Sequence, residues 1–188
     1  MNKAIFLDRD GTINVDRDYI YKIEDFEFLP NVIESLRILQ EAGYILIIVT
    51  NQSGIGRGYY TEEDFHKLND WMLQELIRHN VNISKVYFCP HIPDAQIERY
   101  RILCGCRKPN LGMFRQAIKD FDIDIDASYA IGDKIRDCAI CEKTGCTGFL
   151  IHSNEKPKII QSVKLGMFKG VYYMPTLFDC VLNIIQKK

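Results

Sequence analysis

Two carboxylates stand two positions apart in Asp8-Arg9-Asp10-Gly11-Thr12, directly behind the apolar run Ala4-Ile5-Phe6-Leu7. Acidic residues that follow a buried strand lie at the rim of a parallel sheet, where open α/β folds place their ligands. Such a pair repels itself unless a cation sits between its members. Magnesium prefers oxygen ligands and often accompanies phosphate, so it is the expected ion. The plainer alternative is a turn that uses Asp and Gly for their backbone preferences. A third carboxylate, Asp133, follows the apolar Tyr129-Ala130-Ile131-Gly132 and can complete the coordination. Asp137 either buttresses Lys134 or binds a metal-held water.

The run Ile45–Val49 ends in Thr50-Asn51-Gln52-Ser53. Hydroxyls and amides at a strand's carboxyl end can donate to phosphate oxygens, and Gly54, Gly56 and Gly58 let the backbone approach closely. Cys89-Pro90-His91 and Cys104-Gly105-Cys106 supply three thiols and one imidazole in two short clusters. That donor set fits a closed tetrahedral zinc site, structural because no position is left for substrate. Arg107 and Lys108 follow the last ligand directly and are expected to form an anion clamp.

These groups need a scaffold, and its elements can be read from periodicity. Short β-branched runs alternate with amphipathic stretches, the pattern of an α/β domain with a parallel sheet. Strands are expected at Ala4–Leu7, Tyr44–Thr50, Val86–Cys89, Tyr129–Ile131, Phe149–Ile151 and Val171–Met174. Helices are expected from an Asn31 N-cap to Gly43, from Thr61 to about His79, after Pro109, from near Lys134, and after Pro175. Residues 13–29 lack a period and read as a flap behind the acidic motif; residues 89–106 read as a zinc loop. Cys138, Cys141, Cys146 and Cys180 are expected to be small apolar packers, and His66, His79 and His152 have no clustered partners.

The 188 residues suit one domain spanning 1–188. A net charge of -1 gives no global field for nucleic acid or an anionic membrane. The start Met-Asn-Lys leaves no room for a signal peptide, and the longest apolar run is too short to span a bilayer. A cytoplasmic monomer without nucleic-acid or membrane partners is the expectation.

The order Asp-x-Asp-Gly-Thr, strand-terminal Thr50, Lys108 and Gly132-Asp133-x-x-x-Asp137 resembles the haloacid dehalogenase superfamily. With the zinc loop, Thr50-Asn51-Gln52-Ser53-Gly54-Ile55-Gly56-Arg57-Gly58 and Cys104-Gly105-Cys106-Arg107-Lys108-Pro109 are similar to the heptose 1,7-bisphosphate 7-phosphatases of that superfamily. Histidinol-phosphate phosphatases share the zinc loop but usually carry Asp at the place of Ser53 and Arg at that of Lys134. The resemblance implies a Rossmann-like sheet with a minimal cap, and phosphate-ester hydrolysis on a small phosphorylated sugar. It implies Asp8 as nucleophile, Asp10 as general acid/base, and magnesium on Asp8, the Asp10 carbonyl and Asp133. Thr50 and Lys108 would hold the phosphoryl group, Arg107 and Lys134 would position substrate, and Asp16, Arg17, Asp18 and Tyr19 would meet the sugar. A catalytically inactive zinc-stabilised binding protein is the alternative of another class. The chain departs from the family pattern at Leu111, often Pro, and at Gly56, often Ala.

Overall fold

Six segments rich in β-branched side chains pair as parallel strands: β1 (Lys3–Leu7), β2 (Tyr44–Asn51), β3 (Ile83–Cys89), β4 (Tyr129–Gly132), β5 (Thr147–Ile151) and β6 (Val171–Met174). Each expected strand is present. The computed structural model describes residues 1–151 and 155–186; His152 and the last two residues of the chain lie outside them. The sheet order is β3-β2-β1-β4-β5-β6. The chain winds outward from β1 to β3 and then returns to the other side of β1. Neighbouring β1 and β4 therefore lead their connections in opposite directions, which opens a crevice at their carboxyl ends.

Alternate residues of the central strands feed two cores. Ile5, Leu7, Leu46 and Ile48 pack on one face with Leu36 and Leu39 of α1 (Val32–Glu41), Leu68 and Met72 of α3 (Glu62–Arg78), and Val181 and Ile184 of α6 (Leu177–Gln186). Ala4, Phe6, Ile47 and Val49 pack on the other with Phe114 and Ala117 of α4 (Gly112–Phe121). Burial on both faces explains why the strands read as continuous apolar runs.

Helix α3 starts as its sequence dictates: Thr61 Oγ1 accepts from the Asp64 N–H at 3.1 Å, and Asp64 accepts from the Thr61 N–H at 2.9 Å. Asn31 does not cap α1 with its side chain. It holds a left-handed conformation (φ 60°), and its carbonyl accepts from the Ser35 N–H and hydroxyl. The segment expected to be a helix from Lys134 is a 3-10 helix, Ile135–Glu142. The tighter turn folds Asp137 against the strand end, where a Cβ on Gly132 would lie 2.3 Å from that of Asp137. Two short helices were not apparent from periodicity: α2 (Ser53–Gly56) and α5 (Pro157–Lys164).

The flap is an arch pinned at its base. Val15 donates to the Glu27 carbonyl and Leu29 to that of Ile13, while Ile13, Ile20 and Phe26 are buried in the core. Its tip carries Asp18 and Tyr19, both at positive φ.

Candidate active site

Asp8 leaves β1 and Asp133 leaves β4, so the sheet's switch point sets these carboxylates side by side. With Asp137 they form a buried trio whose ligand oxygens lie within 4.8 Å of one another. Gly11 is required at this close approach: its φ is +78°, and a Cβ there would lie 2.6 Å from Asp133 Oδ2. Burial pushes the Asp8 carboxyl up to about 6, with Asp137 adding to the rise and Lys108 opposing it. Burial, then Asp8 and Asp137, pushes Asp133 up to about 7 against the pull of Lys134. Three carboxylates thus crowd two ammonium groups. Hard oxygen donors with this surplus of negative charge fit a divalent cation such as magnesium.

Lys108 reaches the trio from the far end of the zinc loop. Its Nζ donates to Asp8 Oδ1 at 2.9 Å and to the Val49 carbonyl at 2.6 Å, and pairs with Asp137 Oδ1 at 2.7 Å. Burial works against the ammonium, but Asp137 and Asp8 outweigh it, and its pKa is raised. Two of its protons are engaged in hydrogen bonds, to Asp8 and to the Val49 carbonyl, while Asp137 adds an ion pair. Asn51 clamps the Lys108 backbone at both ends, donating to its carbonyl and accepting from its N–H, each at 3.0 Å. Asp137 supports the Lys108 ammonium and accepts from the Lys134 N–H at 2.9 Å. The Lys134 ammonium instead pairs with Asp133 at 3.3 Å.

A cavity of about 310 Å³ opens above the trio. It brings together Asp8, Asp10, Asp133, Asn51, Gln52, Ser53, Arg107 and Lys134 with Asp16, Asp18 and Tyr19 of the flap. Thr50 and Lys108 lie buried beneath it. Arg17 is not among its lining residues; its guanidinium pairs with Glu27 and donates to the Asp25 carbonyl. Arg57, Tyr60 and Arg136 also line the cavity, and sequence reasoning did not assign them. Arg57 lies inside the glycine-rich stretch and was legible there as a basic residue among glycines. Arg136 gave no signal until the 3-10 turn placed it at the mouth. Burial lowers the Arg107 pKa, and the charges of Arg136 and Arg57 lower it further, so three guanidinium groups share this side of the cavity.

Gln52 turns inward. Its Nε2 donates to Asp10 Oδ2 and to Thr50 Oγ1, both at 2.9 Å, and its Oε1 accepts from the buried Tyr60 hydroxyl at 2.6 Å.

The zinc loop gathers its four donors as the sequence predicts. Cys106 Sγ lies 3.0 Å from that of Cys89 and 3.1 Å from that of Cys104, and His91 Nδ1 lies 3.3 Å from Cys106 Sγ. These sulfurs are too far apart for a disulfide, whose bond is about 2.05 Å. Three sulfurs and a nitrogen converging on one point fit a closed zinc site. The cage also orients its neighbour: the Arg107 N–H donates to Cys104 Sγ, and its Nη1 donates to the His91 carbonyl at 3.3 Å. Cys138, Cys141, Cys146 and Cys180 are unbridged and buried among apolar side chains.

Residues 3–143 match the family described as polynucleotide kinase 3 phosphatase. A D-glycero-beta-D-manno-heptose-1,7-bisphosphate 7-phosphatase of Haemophilus ducreyi is 49% identical over 144 residues, 76% of this chain and 79% of its own. The protein of that name from Escherichia coli O6:H1 is 49% identical over 134 residues, 71% of this chain and 70% of its own. A crystal structure of D,D-heptose 1.7-bisphosphate phosphatase from B. bronchiseptica, complexed with magnesium and phosphate, superposes with a TM-score of 0.84 at 29% identity over 99% of both chains.

Proposed function

We propose, from the premise that this chain belongs to the polynucleotide kinase 3 phosphatase family and to the heptose-1,7-bisphosphate 7-phosphatases of the haloacid dehalogenase superfamily, that it hydrolyses the 7-phosphate of D-glycero-β-D-manno-heptose 1,7-bisphosphate. The observation that carries this reading is the buried Asp8 carboxylate. It faces the cavity floor beside Asp133 and is held by Lys108 at 2.9 Å.

Asp8 attacks phosphorus, the bond from phosphorus to the sugar oxygen breaks, and Asp10 delivers the proton that oxygen needs. Water then attacks the aspartyl-phosphate, gives its proton to Asp10, and releases phosphate and free Asp8. Held by the Asp8 side chain, the Asp10 carbonyl and Asp133, magnesium would screen the approach of an anionic carboxylate to an anionic phosphate. Thr50 and Lys108 steady the transferring oxygens. Asn51 keeps Lys108 in place, Gln52 supports Asp10, and Ser53 adds a hydroxyl at the cavity wall. Arg107 and Lys134 position the remainder of the substrate, and Asp16, Asp18 and Tyr19 meet the sugar hydroxyls. Zinc in the Cys89, His91, Cys104 and Cys106 cage is structural.

The protein works as a cytoplasmic monomer on this small molecule, without nucleic-acid or membrane partners. A net charge of -1 supports the lack of attraction to nucleic acid or an anionic membrane. No helix among the described residues is long and apolar enough to cross a membrane. The test is phosphate release from the β and α heptose bisphosphates and from histidinol phosphate, with magnesium. The β anomer is expected to give the highest kcat/KM. Faster turnover of histidinol phosphate would reassign the substrate, and no release from any of the three would point to a binding protein.

A further inference from the structure

Arg9 lies between the nucleophile and the acid/base in sequence, yet it never faces the cavity. It is 1% exposed, among the largest fully buried side chains of the protein. Its partners are unusual for a buried cation. Nε lies 3.2 Å from Asp10 Oδ1, and Nη2 reaches Asp10 Oδ1 and Oδ2 at 3.0 Å each. The same Nη2 donates to the Ile20 carbonyl of the flap at 3.2 Å and approaches Gln52 Oε1 at 3.4 Å. The guanidinium also lies 5.4 Å from the Phe65 ring centroid. Nη1 is buried with no hydrogen-bond partner. A group that merely filled space here would not carry a charge with an unsatisfied donor.

Asp10 is gripped from several sides. Beyond Arg9, Asn14 Nδ2 donates to Oδ1 at 3.1 Å and Gln52 Nε2 to Oδ2 at 2.9 Å. Rotation of the carboxylate about its Cβ–Cγ bond would break these bonds together, so its plane is fixed relative to Asp8. Lysine could supply the charge but not two coplanar nitrogens, Nε and Nη2, that hold Oδ1 together while Nη2 also reaches Oδ2 and the Ile20 carbonyl.

We propose that Arg9 is a positioning residue for proton transfer: it fixes the Asp10 carboxylate plane and ties that orientation to the flap through the Ile20 carbonyl. The proposal rests on the assignment of Asp10 as acid/base made above. A positioned acid/base contributes about 10²–10⁴-fold, and an error of about 1 Å in placement can cost about 10²-fold. Loss of the fork should therefore penalise leaving groups that need a proton far more than those that do not.

The experiment compares wild type with Arg9→Lys and Gln52→Leu, each loaded with magnesium and zinc, in single turnover. Leaving-group release is followed from heptose bisphosphate, whose alkoxide needs protonation, and from p-nitrophenyl phosphate, whose phenolate does not. Arg9→Lys is expected to lower the ratio of the two rates by at least about tenfold, and Gln52→Leu by less. Arg9 merely supporting the fold would lower both rates together; an unchanged ratio in a variant that retains its zinc and its thermal transition overturns the proposal. Should Arg9→Lys fail to fold, Arg9→Gln decides, because it keeps a planar donor but loses the paired nitrogens on Asp10 Oδ1; an unchanged ratio there overturns it equally. Wild type that releases neither leaving group would instead refute the phosphatase reading itself.

Discussion

Asp8 is built for reactivity against the grain of stability. Its carboxyl is pushed up to about 6 because it is buried, with the charges of Asp137 and Asp10 adding to the rise against the pull of Lys108. A carboxyl raised in the folded state lends stability that is complete below its unfolded value of 3.8 and is lost as pH rises through about 6. Asp8→Asn keeps the shape and removes the charge. Without magnesium, this variant is expected to melt higher than wild type at pH 8 and equally near pH 4, as scanning calorimetry can check. Its phosphate release should fall at least about 10³-fold, since the nucleophile is gone; a substantial residual rate would remove Asp8 from the chemistry. Magnesium should raise the wild-type melting temperature more at pH 8 than at pH 5, because protons compete for the same oxygens. About 2.7 kcal/mol of stabilisation is expected at a hundred times its Kd. Gly11→Ala should abolish that response, because the added methyl meets Asp133.

At the scale of elements, the zinc loop and α2 are joined. The Ile97 N–H donates to the Gly56 carbonyl at 3.0 Å, and a Cβ on Gly56 would lie 2.6 Å from the Pro90 carbonyl oxygen. That close approach gives a physical reason for glycine where the family often has alanine. The cage therefore braces two cavity walls, one carrying Arg107 and the other Ser53 and Arg57. Cys106→Ser is expected to lower zinc content and to cut kcat/KM at least about tenfold by loosening Arg107 and Lys108. Leu103→Ala, at an exposed site of the same loop, should leave both unchanged; equal losses in the two variants would separate the cage from the active site. These elements were unequally legible in sequence. The cage was plain because metal ligands are few in type and close in sequence. Strand-terminal Asp8, Thr50 and Asp133 were plain because apolar runs stop at them. The inward turn of Gln52, the outward turn of Arg17 and the Lys108–Asp137 pair were not, since each depends on side-chain direction and on a partner distant in sequence. The 3-10 form of 135–142 was hidden because tight packing against Gly132, and not helical propensity, decides it.

Among the described residues two large cores lie on opposite faces of one sheet, a smaller third cluster joins α2, α3 and the zinc loop, and stability depends on all of them. Phe114 is buried on α4 and meets Phe6 edge to face, with ring centroids 5.3 Å apart. Phe114→Ala is expected to cost about 3–5 kcal/mol, visible as a lower urea midpoint with an unchanged slope. A cost under about 1 kcal/mol would mean that this face of the sheet repacks freely. The alternation of strands and helices made the parallel sheet readable, whereas its strand order emerges only when the sheet is assembled. The bond from Lys108 to Asp8 closes 100 residues of chain, and Asp133 and Asp137 arrive from still further along. No contiguous fragment short of these residues contains the centre, so activity reports that β4 has joined β1 in the sheet. During refolding, secondary structure should return ahead of turnover, and the recovery of catalysis should coincide with the docking of β4 beside β1.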